Sequence, residues 1–272
     1  MLNSADAKQS ARRLVPAWAG LALISLAAAQ TAKQPPQPGP MLQQGIEPLQ
    51  SPDFHLDLVR SSQTVAALKP KSAADFDFTP GDWLERRSTD GYYHLGDIDL
   101  RLRIGSSGPW QSYSTAYHRE AVKPLPVQGD DLASADLSPT LPAGIPLDIV
   151  RTWRVEGGHL ALHFTVRNTS AQPVTIGSRR IPLIFNNILT DRTLAQASTE
   201  CSFDDPYIGE DAGYVQVTRL NGHGPALVIV PEGHTPLEAW RPILNSWPPR
   251  GQLPIFTDPT PRSITFEGFY EW

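Results

Sequence analysis

The sequence predicts an all-β chain folded as an antiparallel β-sandwich, and three stretches carry that expectation. Ile149, Arg151, Trp153 and Val155 alternate with Val150, Thr152 and Arg154, while Leu160, Leu162, Phe164 and Val166 alternate with Ala161, His163, Thr165 and Arg167. Period two in both arms means two strands with one buried face each, joined around Glu156, Gly157 and Gly158 by a turn whose glycines can take positive φ. Next, the stretch from Tyr92 to Ile104 places Ile98, Leu100, Leu102 and Ile104 on one face, with Asp97, Asp99, Arg101 and Arg103 on the other. Opposite charges along that second face are expected to pair across strands. Third, Tyr214–Leu220 and Ala226–Val230 flank a glycine-bearing turn, and the second run is apolar throughout, as in a fully buried strand. Layers of this kind need a facing sheet to cover their apolar sides.

The remaining segments follow from local pattern. Phe54, Leu56 and Leu58 predict a first edge strand and Val65–Leu68 a second. Phe76 and Phe78 alternate with acids, and Asp82, Trp83 and Leu84 begin a brief helical turn. Trp110–Tyr117 is the hairpin return of the charged strand. Pro124, Pro126, Pro139, Pro142 and Pro146 remove backbone donors, so residues 123–146 are expected as loops, with an edge around Ala135–Leu137. Val174 starts another strand, Arg180–Asn187 is an apolar run ending in two amides, and Ser263–Tyr270 alternates again.

Bulk properties narrow the function. A chain of 272 residues can bury a real core. Its net charge of -5, with no basic cluster, argues against nucleic acid as a partner. Seven Trp and 27 Pro among 19% charged residues is an unusual mixture, and tryptophan outside a core suits sugar or protein contact surfaces. Cys201, the single cysteine, has no recognisable base partner and reads as a buried thiol.

Lys8, Arg12 and Arg13 precede an apolar segment from Leu14 to Ala29 that ends in small residues, the order of a secretory signal peptide. The run is shorter than the ~20 residues of a spanning helix. The expected organisation is a signal peptide over 1–30, a disordered Pro/Gln-rich segment over 31–52 and a β-sandwich domain over 53–272. The mature protein would be extracellular, with no membrane contact after signal removal.

No nucleotide loop of the GxGxxG or GxxxxGK[ST] type is present, and the histidines show no metal-ligand spacing, so no metal site is assigned. Asp204 and Asp205, beside Pro206 and Tyr207 in an expected loop, offer carboxylates for a sugar site or oxygen ligands for calcium. Acids before proline also build ordinary turns, and no catalytic residue is assigned. Planar and amide side chains are more suggestive. Trp83, Tyr92, Tyr93, Trp110, Asn186, Asn187, Tyr207 and Trp240 are candidates to line a groove in which rings stack on sugars and amides bind hydroxyls. Asn168, Thr169 and Ser170 form a glycosylation sequon in an expected surface turn.

Long stretches resemble a secreted family of filamentous fungi and bacteria that is similar to the six-hairpin glycosidases. They are FDFTPGDWLERRSTDGYYHLGDIDLRLR (Phe76 to Arg103), SYSTAYHREAV (Ser112 to Val122), ADLSPTLPAGIPLDIVRTW (Ala135 to Trp153), IPLIFNNILTDRTLAQA (Ile181 to Ala197), Cys201 to Pro242 and FEGFYEW (Phe266 to Trp272). The resemblance runs from about Asp53 to the end. It implies a supersandwich of the galactose-mutarotase-like kind, normally preceding an (α/α)6 barrel that carries the general acid and base and that would be missing here. The implied function is a non-catalytic N-terminal sandwich of a secreted glycoside-hydrolase-like protein acting on polysaccharide or oligosaccharide, its partner being the missing C-terminal helical barrel. The alternative is a free-standing carbohydrate-binding or structural interaction module. No cofactor beyond that calcium option is implied.

Overall fold

A computed structural model describes residues 41–79, 84–88, 90, 91, 93–185, 189–192, 199, 202–207, 214–219, 221–231, 243–247 and 262–271. The chain divides into compact units Met1–Gln37 and Pro38–Trp272, and every described residue belongs to the second. The expected signal peptide, Cys201, Trp83, Tyr92, Asn186, Asn187 and Trp240 lie outside the described residues.

The described elements are almost all antiparallel strands, as the alternation predicts. In chain order they are β1 (Ile46–Gln50), β2 (Phe54–Val59), β3 (Val65–Pro70), β4 (Asp99–Ile104), β5 (Gln111–Ser114), β6 (Lys123–Leu125), β7 (Asp131–Asp136) and β8 (Leu147–Glu156). There follow β9 (His159–Asn168), β10 (Val174–Leu183), β11 (Leu189–Arg192), β12 (Ser202–Tyr207), β13 (Tyr214–Arg219), β14 (Leu227–Ile229), β15 (Ile243–Trp247) and β16 (Arg262–Glu271). A one-turn α-helix, Leu84–Arg87, stands near its expected place, and two 3-10 turns lie at Lys71–Ala73 and Ser138–Thr140.

The hairpin β8–β9 pairs over its whole length, from Leu147 opposite Asn168 to Glu156 opposite His159. Gly157 and Gly158 make its two-residue turn at φ +56° and +88°, the backbone that joins strands without splaying them. With β6 and β7 the hairpin forms a four-stranded sheet in the order β6-β7-β8-β9. That sheet faces a six-stranded one ordered β11-β16-β10-β4-β5, with β15 paired to β16. Leu100 and Leu102 of β4 pack with Ala135 of β7 and with Leu147 and Ile149 of β8 between the two sheets. A second core gathers Leu56 and Leu58 of β2, Leu68 of β3, Trp153 of β8 and Val215 and Val217 of β13. The buried face of β8 thus runs from one core into the other, and Arg151 sits where they meet.

Arg151 is 2% exposed, and among the described residues no carboxylate holds it by a direct ion pair. Its Nη1 donates to the Gly96 carbonyl at 2.9 Å and its Nη2 to the Gln63 carbonyl at 2.9 Å, so one guanidinium ties β8 to the loops before β4 and before β3. Gly96 has φ +97°, and a Cβ there would lie 2.9 Å from Arg151 Nη1. Gly96→Ala should therefore lower stability by about 1–3 kcal/mol through backbone strain, plus the displaced guanidinium. Gly91→Ala, at φ +80° with nothing within 4 Å, isolates the strain alone. Thermal melts that place the two variants together would show that the Arg151 contact is not rigid.

Five expectations are corrected. Ile46–Gln50, within the segment read as disordered, is edge strand β1, paired to β2 from Ile46 opposite Val59 to Gln50 opposite His55. An edge tolerates Pro48 because one side of the strand needs no donor. β2, expected as an edge, is therefore the middle strand of β1-β2-β3. β7 is an inner strand, because the prolines of 123–146 fall in edge strand β6 and in turns that flank β7 rather than within it. Ser202–Tyr207 is strand β12 rather than a loop, with Pro206 opposite Val215. The run around Val228 is a strand, but among the described residues β14 pairs with β13 alone and Val228 is 53% exposed, so it is an edge there and not a fully buried strand.

Candidate functional site

The outward face of β4 collects the polar groups that the alternation placed there. Asp99, Arg101 and Arg103 occupy successive outward positions, since Leu100 and Leu102 point into the core. Neighbouring strands add their own outward residues. Ser112 of β5 and Ser178 of β10 both stand opposite Arg101, and Arg180 of β10 stands opposite Asp99. The last pairing depends on a register shift between Ile176 and Ser178, where Gly177 is the extra residue. Such a bulge flips the alternation beyond it. Without it Arg179, not Arg180, would face Asp99.

An open cleft of about 170 Å³ lies on this face. Asp99, Arg101 and Arg180 supply its charged lining, with Ser112, Ser178 and Tyr117 among its hydroxyls. Asp99 is 5% exposed, and its Oδ2 accepts from Arg180 Nη2 at 2.7 Å and from the Tyr93 hydroxyl at 3.3 Å. Its Oδ1 is buried without a hydrogen bond of normal geometry, although the Ser114 hydroxyl lies nearby. Burial pushes the Asp99 carboxyl above its ordinary pKa, outweighing Ser114 and Arg180, which favour the anion. The Tyr93 phenol is pushed up as well, by burial first and then by the Asp99 charge.

Beside the cleft, Trp110 lies across the sheet at 40% exposure. Its ring centroid is 5.2 Å from the Arg101 guanidinium carbon and 5.0 Å from that of Arg103, both within cation–π range. Gly177 makes the close seat possible, because a Cβ there would come within 2.7 Å of the indole. One glycine thus serves both the bulge and the ring that covers it.

A buried charge cluster holds the end of the cleft. Asp97 is 1% exposed and takes a bidentate pair from Arg119, Nη1 to Oδ1 and Nη2 to Oδ2, each 2.7 Å. Thr115 Oγ1 donates to Oδ1 at 2.8 Å and the His94 backbone N–H to Oδ2 at 2.9 Å. These bonds fasten the loop that bears Tyr93 to the one that bears Tyr117. Burial would raise the Asp97 carboxyl, but Arg119 and the other donors outweigh it and hold the group well below the usual carboxylate range. His94, whose Nδ1 donates to the Leu95 carbonyl, lies with Nε2 3.4 Å from Asp97 Oδ1. Burial, helped by Arg119 and Arg151, pushes its pKa down to about 3.

Of the residues predicted from sequence, Tyr93 and Trp110 come together on this face, one at Asp99 and the other over Arg101 and Arg103. Asp204, Asp205 and Tyr207 lie on β12, in a different sheet. Asn168 is exposed at the end of β9, but its side-chain amide donates to the Gln172 carbonyl at 2.7 Å and its Oδ1 accepts from Ser170 at 2.9 Å, an Asx-type turn. Sequence reasoning placed Asp97 and Asp99 on the charged face of the strand, and both are buried. It also passed over Asp99, Arg101, Arg180 and Tyr117 as site residues. Among the described residues no group of histidine, cysteine and acidic side chains could hold a metal ion.

No curated protein matches the chain. Among solved structures it is similar to a polysaccharide lyase at 12% identity and TM-score 0.47, covering 81% of this chain and 32% of that one. It is also similar to a 4-alpha-glucanotransferase from Thermococcus litoralis at 7% identity and TM-score 0.38, covering 84% of this chain and 35% of that one. A galactose mutarotase-like protein from Lactobacillus casei aligns at 12% identity and TM-score 0.36, over 83% of this chain and 87% of that one. The chain therefore spans about a third of the length of the first two. Residues 57–272 match the profile of the family described as Family of unknown function (DUF5695), and the chain belongs to that family.

Proposed function

We propose that this chain is the β-sandwich portion of a secreted glycoside-hydrolase-like protein acting on polysaccharide, and that the outward face of β10, β4 and β5 is where it touches sugar. The observation that carries this reading is Trp110, a half-exposed indole lying along a strand face next to a polar cleft. A planar ring offers stacking area for a sugar face, and the cleft's serines, tyrosines and charges offer partners for hydroxyls. At about 170 Å³ the cleft is smaller than the ~300 Å³ lower bound of ordinary small-molecule sites. That size suits a surface contact along a chain better than a closed catalytic pocket, so no catalytic group is assigned. Calcium has no part in this reading, and the helical barrel that would carry hydrolysis belongs to the proposal as a partner domain.

Trp110→Ala and Tyr117→Ala should each weaken binding to a responsive polysaccharide by about tenfold or less, the scale of one aromatic contact. Affinity electrophoresis across a panel of plant, bacterial and fungal glycans, with thermal melts to confirm folding, provides the measurement. Undiminished binding in both folded variants would remove this face from the proposal. Sequencing the transcript past the Trp272 codon tests the partner domain separately.

A further inference from the structure

We infer that this face selects an anionic glycan, one bearing carboxylate or sulfate groups. The inference rests on the sugar-contact reading above and adds a substrate class to it. Arg60, Arg154, Arg167 and Arg180 each lie within ion-pair distance of a carboxylate, the last at 2.7 Å from Asp99. Arg101 and Arg103 have no such partner among the described residues. Both guanidiniums lie against the Trp110 ring, and Arg103 Nε is a buried donor with no acceptor among the described residues.

Two unneutralised guanidiniums side by side are unusual on a chain of net charge -5. On β4, Arg101 and Arg103 carry the positive charge, while Asp99 is paired with Arg180, which Glu271 of β16 also stands opposite in the strand register. Asp99 does not repel an incoming anion, because Arg180 already holds it. The planar fork of a guanidinium matches both carboxylate and sulfate oxygens. A sugar ring on Trp110 would carry its anionic substituent to Arg101, while its hydroxyls meet Ser112, Ser178 and Tyr117. A neutral glycan would leave both guanidiniums unused.

The test titrates the whole chain with polygalacturonate, its methyl ester, dextran sulfate and dextran. Each pair keeps the backbone and changes the charge, and the two pairs separate carboxylate from sulfate as the source of the anion. The expected result is binding to at least one charged member that exceeds its neutral partner and declines with added salt. Arg101→Gln and Arg103→Gln should each weaken it about tenfold, with Arg60→Gln unchanged. Equal affinity for charged and neutral partners would overturn the charge selection and leave the sugar reading standing. Equal losses in Arg60→Gln and Arg101→Gln would overturn it as diffuse attraction. Failure to bind any of the four would overturn both.

Discussion

Replacing Asp97 by alanine is expected to lower the unfolding free energy by about 3–5 kcal/mol. The carboxylate is 1% exposed and meets Arg119 in a 5% exposed bidentate pair, so solvent screening offers no relief. Without it, Arg119 keeps its charge in the interior near a second buried cation, Arg151, and the Thr115 hydroxyl loses its acceptor. Asp97→Leu combined with Arg119→Met should recover most of the loss, because removing both charges avoids the uncompensated one. Urea titrations of wild type, Asp97→Ala and the double variant, compared at constant m, check this. A single variant no less stable than the double would show that the pair contributes little. The pH dependence has a definite sign. The folded carboxyl titrates below the ordinary 3.8, so its contribution is complete above that value and is lost as pH falls beneath it.

Acid should begin to weaken the fold well before that carboxylate is protonated. His94 is buried as the neutral imidazole, with its pKa depressed from 6.5 to about 3. Below pH 6.5 the unfolded chain takes up a proton that the folded chain refuses, so stability falls as pH drops, by up to about 1.4 kcal/mol per pH unit until the folded value is reached. Above 6.5 the residue has no influence on the pH profile. His94→Asn keeps the backbone N–H that bonds Asp97 and removes the titrating ring. It should flatten the stability profile between pH 6 and 4 relative to wild type. Urea midpoints at several pH values measure the slope, and the same slope in both proteins would mean that His94 does not control it.

The fold was legible wherever one face of a strand is apolar and the other polar. The hairpin β8–β9 and strand β4 announce themselves in this way, and even Arg151 stands on the apolar side of its own alternation. β1 and β7 were hidden by proline, which excludes a central strand only when it falls inside one. Val228 misled in the opposite direction, since an apolar run does not reveal how many strands will cover it. At the candidate site, Trp110 and Tyr93 were singled out because rings near loops invite a sugar reading, and the strands bring both to one face. The Asp97–Arg119 pair was not, because the two residues are 22 positions apart and composition carries no trace of their meeting. Asp99 and Arg101 were recognised as outward, but nothing in the pattern of β10 showed which arginine would stand opposite.

Gly177 has a bearing on how relatives of this chain are to be compared. A homologue one residue shorter at that point would keep both consecutive arginines and align across the strand with scarcely any penalty, yet it would turn the wrong one toward Asp99 and leave no seat for an indole. The presence or absence of a residue at position 177 is therefore the feature to read first when another member of the family is set beside this chain, because it decides which arginine faces the carboxylate.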